Sequence, residues 1–386
     1  MRLSIEKKDI QPYIQHLSTV VGTKNTSPIM LNYLIDVDAE SNNVTIKASD
    51  LELHVIVTFK ATVIESGTVA VNAKRFNEII AAMPEGLIEF WKNEELLIIQ
   101  GNKIDFKILS ADPTLYPILA QPEAHQINTI NAELFMRMVR KTSFAVSLDV
   151  QRTVLTGVCW KIYRDRHLMA ATDGRKVSEI TIKAIESSDL EMPTHNVEPS
   201  SESDNYVEKV IPVKTLNFLQ LIHNSNVKDL GISFSDSQIV FFYGNFVIIS
   251  KILDSRYPDY SKAFVVELPN RLEMKAKELL ETLRRVSLVA PDDVFRVKFE
   301  IDNTQFEVSS FDRETGDAKE YVQNYVYNGE PTNISFNFKY MISILEALDT
   351  ENVVIRLGTA KEPMLVTNET DPPNQQIIHL LMPLRA

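Results

Sequence analysis

One order of elements recurs three times along this chain, and that recurrence limits the fold more than any other feature. Asp9–Val20, Glu133–Lys141 and Lys277–Arg285 each read as a short helix that mixes apolar and charged residues. Each opens a stretch of roughly 115 to 145 residues, the length of an ordinary domain. Further along each stretch a strand, a small or polar turn containing lysine and a second helix follow in the same order. These are Thr68–Met83, Lys209–His223 and Asn333–Leu348. Apolar residues at helical spacing mark one buried face in each second helix: Phe76, Ile79, Ile80 and Met83; Leu216, Leu219 and Ile222; Met341, Ile344, Leu345 and Leu348. Hairpins come next, with polar turns between β-branched runs: Ile88–Trp91 with Leu96–Gln100, Leu230–Phe234 with Ile239–Tyr243, and Asn352–Leu357 with Met364–Thr367. The fold class expected is α+β: three similar domains, each of two strand–helix–strands halves. Expected boundaries are 1–125, 126–268 and 269–386, with Pro122 and Pro269 in polar linkers. Residues 185–208, rich in Ser, Glu, Asn and Pro, read as a long acidic surface insertion in the second domain.

The chemistry the chain lacks is as informative. No glycine-rich phosphate loop, zinc-ligand spacing or Gly-x-Ser-x-Gly elbow occurs, so no cofactor or metal is expected. Cys159 is the one cysteine, which rules out an intrachain disulfide and fits a reducing compartment. The start, MRLSIEKKDIQ, lacks the basic and apolar regions of a leader, and no run approaches the roughly 18 apolar residues of a membrane span. A soluble, cytoplasmic protein without a membrane partner is expected. Two residues invite an enzymatic reading, a hydrolase or transferase centred on Asp173 or Cys159. Asp173, in Ala171–Lys176 (ATDGRK), equally suits a turn after a strand, and Cys159 lies in an apolar strand that suits packing. Trp91 and Trp160 also lie in apolar strands and are expected in the core.

The formal net charge is −12, yet the helices concentrate positive charge. Arg137, Arg140 and Lys141 share one face; Lys277, Arg284 and Arg285 lie on the corresponding helix of the third repeat. Lys74 opens the second helix of the first repeat, with Lys214 and Lys339 at matching places. A basic stripe repeated in a pseudo-symmetric array offers one surface to a polyanion, whatever the sum of charge.

Across nearly its whole length the sequence resembles the bacterial DNA sliding clamp, the beta subunit of the replicative DNA polymerase. The likeness rests on ordered motifs: SPIMLNYL at 27–34, ASDLELHV at 48–55, VNAKRF at 71–76, FAVSLD at 144–149, VLTGV at 154–158, ATDGRK at 171–176, DSRYPDY at 254–260, FNFKYM at 336–341 and the terminal MPLRA. ATDGR and MPLR are the most telling. The resemblance implies a DNA clamp fold closed into a head-to-tail homodimeric ring, helices lining the hole. It implies a non-catalytic processivity factor. Double-stranded DNA is encircled without base readout, a clamp loader opens the ring, and replicative and other DNA polymerases attach by short linear motifs. The peptide cleft would use Leu155, Thr172, Gly174, Arg175, Val177, Pro258, Asn337, Tyr340, Pro363, Leu380, Met382, Pro383, Leu384 and Arg385. DNA contacts would come from Lys24, Lys74, Arg137, Arg140, Lys141, Arg152, Lys214, Lys277 and Arg284, and the dimer interface from Phe106, Ile108, Leu288 and Val289. Three departures stand out: Val150-Gln151-Arg152-Thr153 in a loop that faces DNA in the family, Lys262-Ala263 at the cleft edge, and the length of the 185–208 insertion.

Overall fold

The computed structural model describes residues 1–22, 27–117, 127–183, 206–235, 237–264, 267–291 and 293–384. Among these, six α-helices occur: α1 Lys7–Leu17, α2 Ala73–Ala82, α3 Ala132–Thr142, α4 Val213–Leu221, α5 Ala276–Val286 and α6 Phe338–Ala347. Each follows directly on a strand: Arg2–Glu6, Gly67–Asn72, Asn128–Asn131, Val207–Pro212, Asn270–Lys275 and Thr332–Asn337. The strand–helix unit therefore appears twice in each sequence repeat. Side chains mark two of the helix starts: the Asn72 carbonyl accepts from the Arg75 N–H at 3.0 Å, and Asn337 accepts from the Lys339 N–H at 2.9 Å. The apolar faces predicted for α2, α4 and α6 point into the core: Phe76, Leu216, Leu219, Met341 and Ile344 are at most 1% exposed. Each such side chain contributes roughly 1.5–3 kcal/mol by leaving water.

The chain divides into two compact units. One comprises Met1–Glu133 and Lys214–Ile252, the other Leu134–Val213 and Leu253–Ala386. The first holds an antiparallel sheet of thirteen strands among the described residues, from Asn128–Asn131 at one edge to Thr62–Glu65 at the other. Within it, Leu53–Lys60 of the first repeat pairs with Phe246–Lys251 of the second, Val57 opposite Phe246. The second unit holds a nine-stranded sheet running from Val207–Pro212 to Tyr325–Asn328, and a four-stranded sheet. There Lys176–Lys183 of the second repeat pairs with Gln375–Leu381 of the third, Val177 opposite Leu380. In both units a sheet runs through the junction between repeats, so edges that would otherwise be open are paired.

Two expectations are adjusted by the structure. Val207 and Glu208, placed at the end of the acidic insertion, begin the strand Val207–Pro212, paired with Gly157–Ile162; residues 185–205 lie outside the described residues. Trp160 is fully buried, with its ring 5.3 Å from that of Phe135, but Trp91 is only half-buried. Strand alternation explains this: Ile88 and Phe90 take the inward face, and Trp91 points outward beneath the Arg2 guanidinium, 5.9 Å from its ring centre. Cys159 is buried, as packing required. No helix among the described residues is long and apolar enough to cross a membrane.

Candidate functional site

The described residues expected to form a peptide cleft all fall in the second compact unit; Arg385 lies outside the described residues. Leu155 sits in the 3-10 turn Thr153–Thr156, and Thr172 closes the strand Arg166–Thr172. The tight turn that follows is held by Asp173, whose carboxylate accepts from the N–H groups of Arg175 at 2.8 Å and Lys176 at 3.0 Å. Gly174 adopts φ +88° there, a conformation that disfavours any side chain. Asp173 is thus a turn residue. Cys159 is equally unsuited to nucleophilic work, because burial pushes its thiol pKa up.

Strand pairing and a few hydrogen bonds bring together most of the residues expected in the cleft. Val177 lies opposite Leu380, and Leu365, two residues after Pro363, lies opposite Leu380 on the other side. The Met382 N–H donates to the Arg175 carbonyl at 2.8 Å, and the Leu384 N–H donates to the Ser335 carbonyl at 2.8 Å, so the chain end is stitched to the Asp173 turn and to the strand Thr332–Asn337 that leads into α6. The Thr172 N–H donates to the Tyr257 hydroxyl at 2.9 Å, which ties the turn to the segment carrying Pro258. Leu155 packs with Cys159, Val210 and Tyr257. Asn337 caps α6, and one turn on the Tyr340 hydroxyl meets Asp173 and Arg175. Leu155, Val177 and Leu380 are between 1% and 8% exposed, whereas Met382 is 38% exposed: a packed apolar floor with one flexible side chain above it.

Sequence reasoning missed two members of this group. Lys176 is buried, with its ammonium 4.3 Å from the centre of the Tyr340 ring and 3.9 Å from Asp173. Burial lowers its pKa, with Asp173 pulling the other way. Tyr257 holds Thr172. Both lie inside the ATDGRK and DSRYPDY motifs, but neither burial nor the direction of a hydroxyl can be read from residue type.

The basic residues divide by environment. Lys24 lies outside the described residues. Lys74 and Lys277 are 83% and 85% exposed in their side chains, each 4.0 Å from a glutamate one helical turn on. Arg140 is exposed. Arg284 is half-exposed and pairs with Glu346 at 2.6 Å; Arg152 pairs with Asp149 at 3.7 Å and donates to the Asp173 carbonyl at 2.9 Å. Lys214 pairs with Asp50. Arg137 binds Asp349 at 2.5 Å and Gln375 at 2.6 Å. Lys141 is the clear correction: it is 6% exposed and donates to the Ala347 carbonyl and to Asp349 at 2.5 Å. It turns back to hold the end of α6 instead of facing a polyanion.

Of the expected interface residues, Phe106 and Ile108 are half-buried on the strand Ile104–Ala111. Its far edge pairs only through Ser110 and Ala111 among the described residues. In the other unit Leu288 is 83% exposed and Val289 half-buried, and the edge strand Gly316–Tyr321 ends the four-stranded sheet.

Three family models match the chain in succession: the N-terminal domain of the DNA polymerase III beta subunit over residues 1–120, its central domain over 129–259 and its C-terminal domain over 265–385. The chain belongs to the DNA polymerase III beta subunit family. The beta sliding clamp of Bacillus subtilis is 27% identical over 396 residues, covering all of both chains, and that of Staphylococcus aureus is 27% identical over 397 residues. The crystal structure of the Bacillus subtilis DNA polymerase sliding clamp superimposes with a TM-score of 0.88 at 27% identity, covering 100% of this chain and 99% of that one. The Bartonella birtlesii sliding clamp bound to griselimycin gives 0.88 at 25% identity, covering all of both chains. Members of this family are not enzymes, in keeping with the turn role of Asp173 and the buried thiol of Cys159.

Proposed function

We propose that this chain acts in the cytoplasm as the processivity ring of a replicative DNA polymerase, a head-to-tail homodimer that encircles duplex DNA and slides along it. The observation that carries the reading is the unbroken succession of three beta-subunit models over the chain, with full-length relatives among the sliding clamps. The three sequence repeats, 1–125, 126–268 and 269–386, are the clamp domains. A ring needs no strong grip, because its hold on DNA is topological. Long, hydrated lysine and arginine side chains that offset phosphate repulsion without reading bases are what sliding requires. Lys74, Arg140, Arg152, Lys277 and Arg284 suit that role by exposure; Arg137 contributes less, because it is largely buried against Asp349 and Gln375, and Lys214 less, because it is partly buried against Asp50. Dimer contacts would join the open edge at Phe106 and Ile108 to the Leu288–Val289 region of a second copy.

Polymerases and other replication proteins would dock through short peptides in the cleft formed by Leu155, Thr172, Gly174, Arg175, Val177 and Pro258 with Asn337, Tyr340, Pro363, Leu380 and the end Met382–Arg385. A clamp loader opens the ring. The cleft is tested by deleting Met382–Ala386. Chain ends add little to a core, so circular dichroism and dimer mass should stay unchanged while affinity for a polymerase-derived peptide falls by roughly a hundredfold or more, the loss expected when a central anchor goes. Unchanged affinity would place the peptide elsewhere.

A further inference from the structure

A cavity of about 960 Å³ adjoins the cleft floor in the same compact unit. It opens between one face of the nine-stranded sheet and the segment 253–264. Its chemistry differs from that of the apolar floor. Four carboxylates, Glu179, Glu208, Asp254 and Asp259, line it against two cations, Lys161 and Arg256. Lys161 shows how the site treats a cation: its ammonium lies 5.0 Å from the centre of the Tyr206 ring and 5.9 Å from that of Tyr260, with Glu208 at 3.9 Å. Glu179 is left short of partners. The Tyr260 hydroxyl donates to it at 2.7 Å, and among the described residues that is the one hydrogen bond to its side chain. A carboxylate accepts several.

The cavity and the floor are continuous. Val177 and Glu179 are two residues apart on one strand and so share a face, and their partners across the sheet are Leu380 and Ile378. Leu155 of the floor belongs to the same packed cluster as Val210, Leu253, Tyr257 and Tyr260, which line the cavity. Moving about 7 Å along the sheet, the span of two extended residues, takes a bound peptide from the apolar pair Val177–Leu380 to the carboxylate of Glu179.

We propose that this cavity seats a basic side chain, arginine or lysine, of the peptide held in the cleft, with Glu179 as its counter-charge and Tyr206 and Tyr260 as its aromatic walls. The inference rests on the cleft reading above and adds to it a preference for positive charge two residues from the apolar anchor. The excess of carboxylates over cations in the lining favours that charge sign. Burial also pushes the Glu179 pKa up, more than Tyr260 and Lys161 bring it down, as befits a carboxylate lacking a cation in contact.

The test uses the full chain and fluorescently labelled peptides with two adjacent large apolar anchors. Arginine is placed two residues before or two residues beyond them, and each peptide is matched by one with neutral citrulline at that position. In one of the two placements the arginine peptide should bind about fivefold to tenfold more tightly than its citrulline match. Glu179→Gln should erase that ratio without changing the affinity for the citrulline peptide. A ratio that survives Glu179→Gln, or no arginine advantage in either placement, overturns the proposal. Should the variant not fold, the wild-type ratio is read against added salt: it should shrink towards one, and a constant ratio counts against an ionic seat. Failure of every peptide to bind wild-type protein would instead strike the cleft reading. The seat is then judged with N-acetyl-arginine amide by NMR: shifted Tyr206 and Tyr260 ring signals that Glu179→Gln abolishes support it, and unshifted signals overturn it.

Discussion

His379 shows how one buried group can set an acid limit on the whole chain. Its ring is fully buried, and Nδ1 lies 2.8 Å from the Ser178 hydroxyl oxygen, while that hydroxyl donates to the Lys141 carbonyl. The Ser178 proton is committed, so Nδ1 carries the imidazole proton and donates it. Nε2 has no hydrogen-bond partner among the described residues. Burial first, and then the nearby Lys141 charge, lower the His379 pKa from 6.5 to about 3, against a small opposing pull from Asp349. Below pH 6.5 the unfolded chain takes up a proton that the folded one refuses, so this contribution to stability is complete above pH 6.5 and is lost as pH falls towards 3. The loss runs at up to about 1.4 kcal/mol per pH unit. Calorimetric midpoints of the wild type should fall more steeply between pH 6.5 and 4 than those of His379→Asn. Parallel curves would mean that the ring is already charged in the fold. None of this was legible in the sequence, where His379 is one of seven scattered histidines. The same holds for Lys141, whose spacing with Arg137 and Arg140 suggested a shared outward stripe. Asp349, which takes the charge of both Lys141 and Arg137, lies more than two hundred positions away, and no local pattern announces an ion pair of that range.

The elements themselves were far more legible. Helical spacing of Phe76–Met83 and Met341–Leu345, and the alternation of the hairpins, are local signals, and the structure follows them closely. What periodicity cannot convey is which strand lies beside which. That Phe246–Lys251 joins Leu53–Lys60, or Lys176–Lys183 joins Gln375–Leu381, depends on pairing between distant repeats. For the proposed cleft, the motifs supplied the candidate residues, but Lys176 and Tyr257 joined them only through burial and hydrogen bonding. On the helices, exposure now separates two kinds of cation. Neutralising Lys74, Lys277 and Arg284 together should lower the salt slope of DNA association by about 0.9 for each phosphate that no longer meets a cation, with the fold intact. Lys141→Met should leave that slope unchanged and reduce thermal stability instead, because it strips Asp349 and the end of α6 of a donor. A slope that responds to Lys141→Met as strongly as to the surface changes would put its ammonium on the DNA.

For the whole molecule the decisive matter is topology. An acidic chain is a poor gripper of DNA, yet a closed ring holds DNA with little attraction, and its net charge of −12 then keeps DNA from sticking elsewhere. The two modes part when a DNA end is created, since cutting a circle changes no charge and no groove. The most direct measurement loads the clamp onto a closed circular duplex, washes with high salt, and follows bound protein before and after one cut linearises the circle. A ring around the duplex should survive the salt on the closed circle and run off once the cut is made. Salt that strips it equally from circular and linear DNA, with the dimer still closed, would show that it grips the duplex and does not surround it.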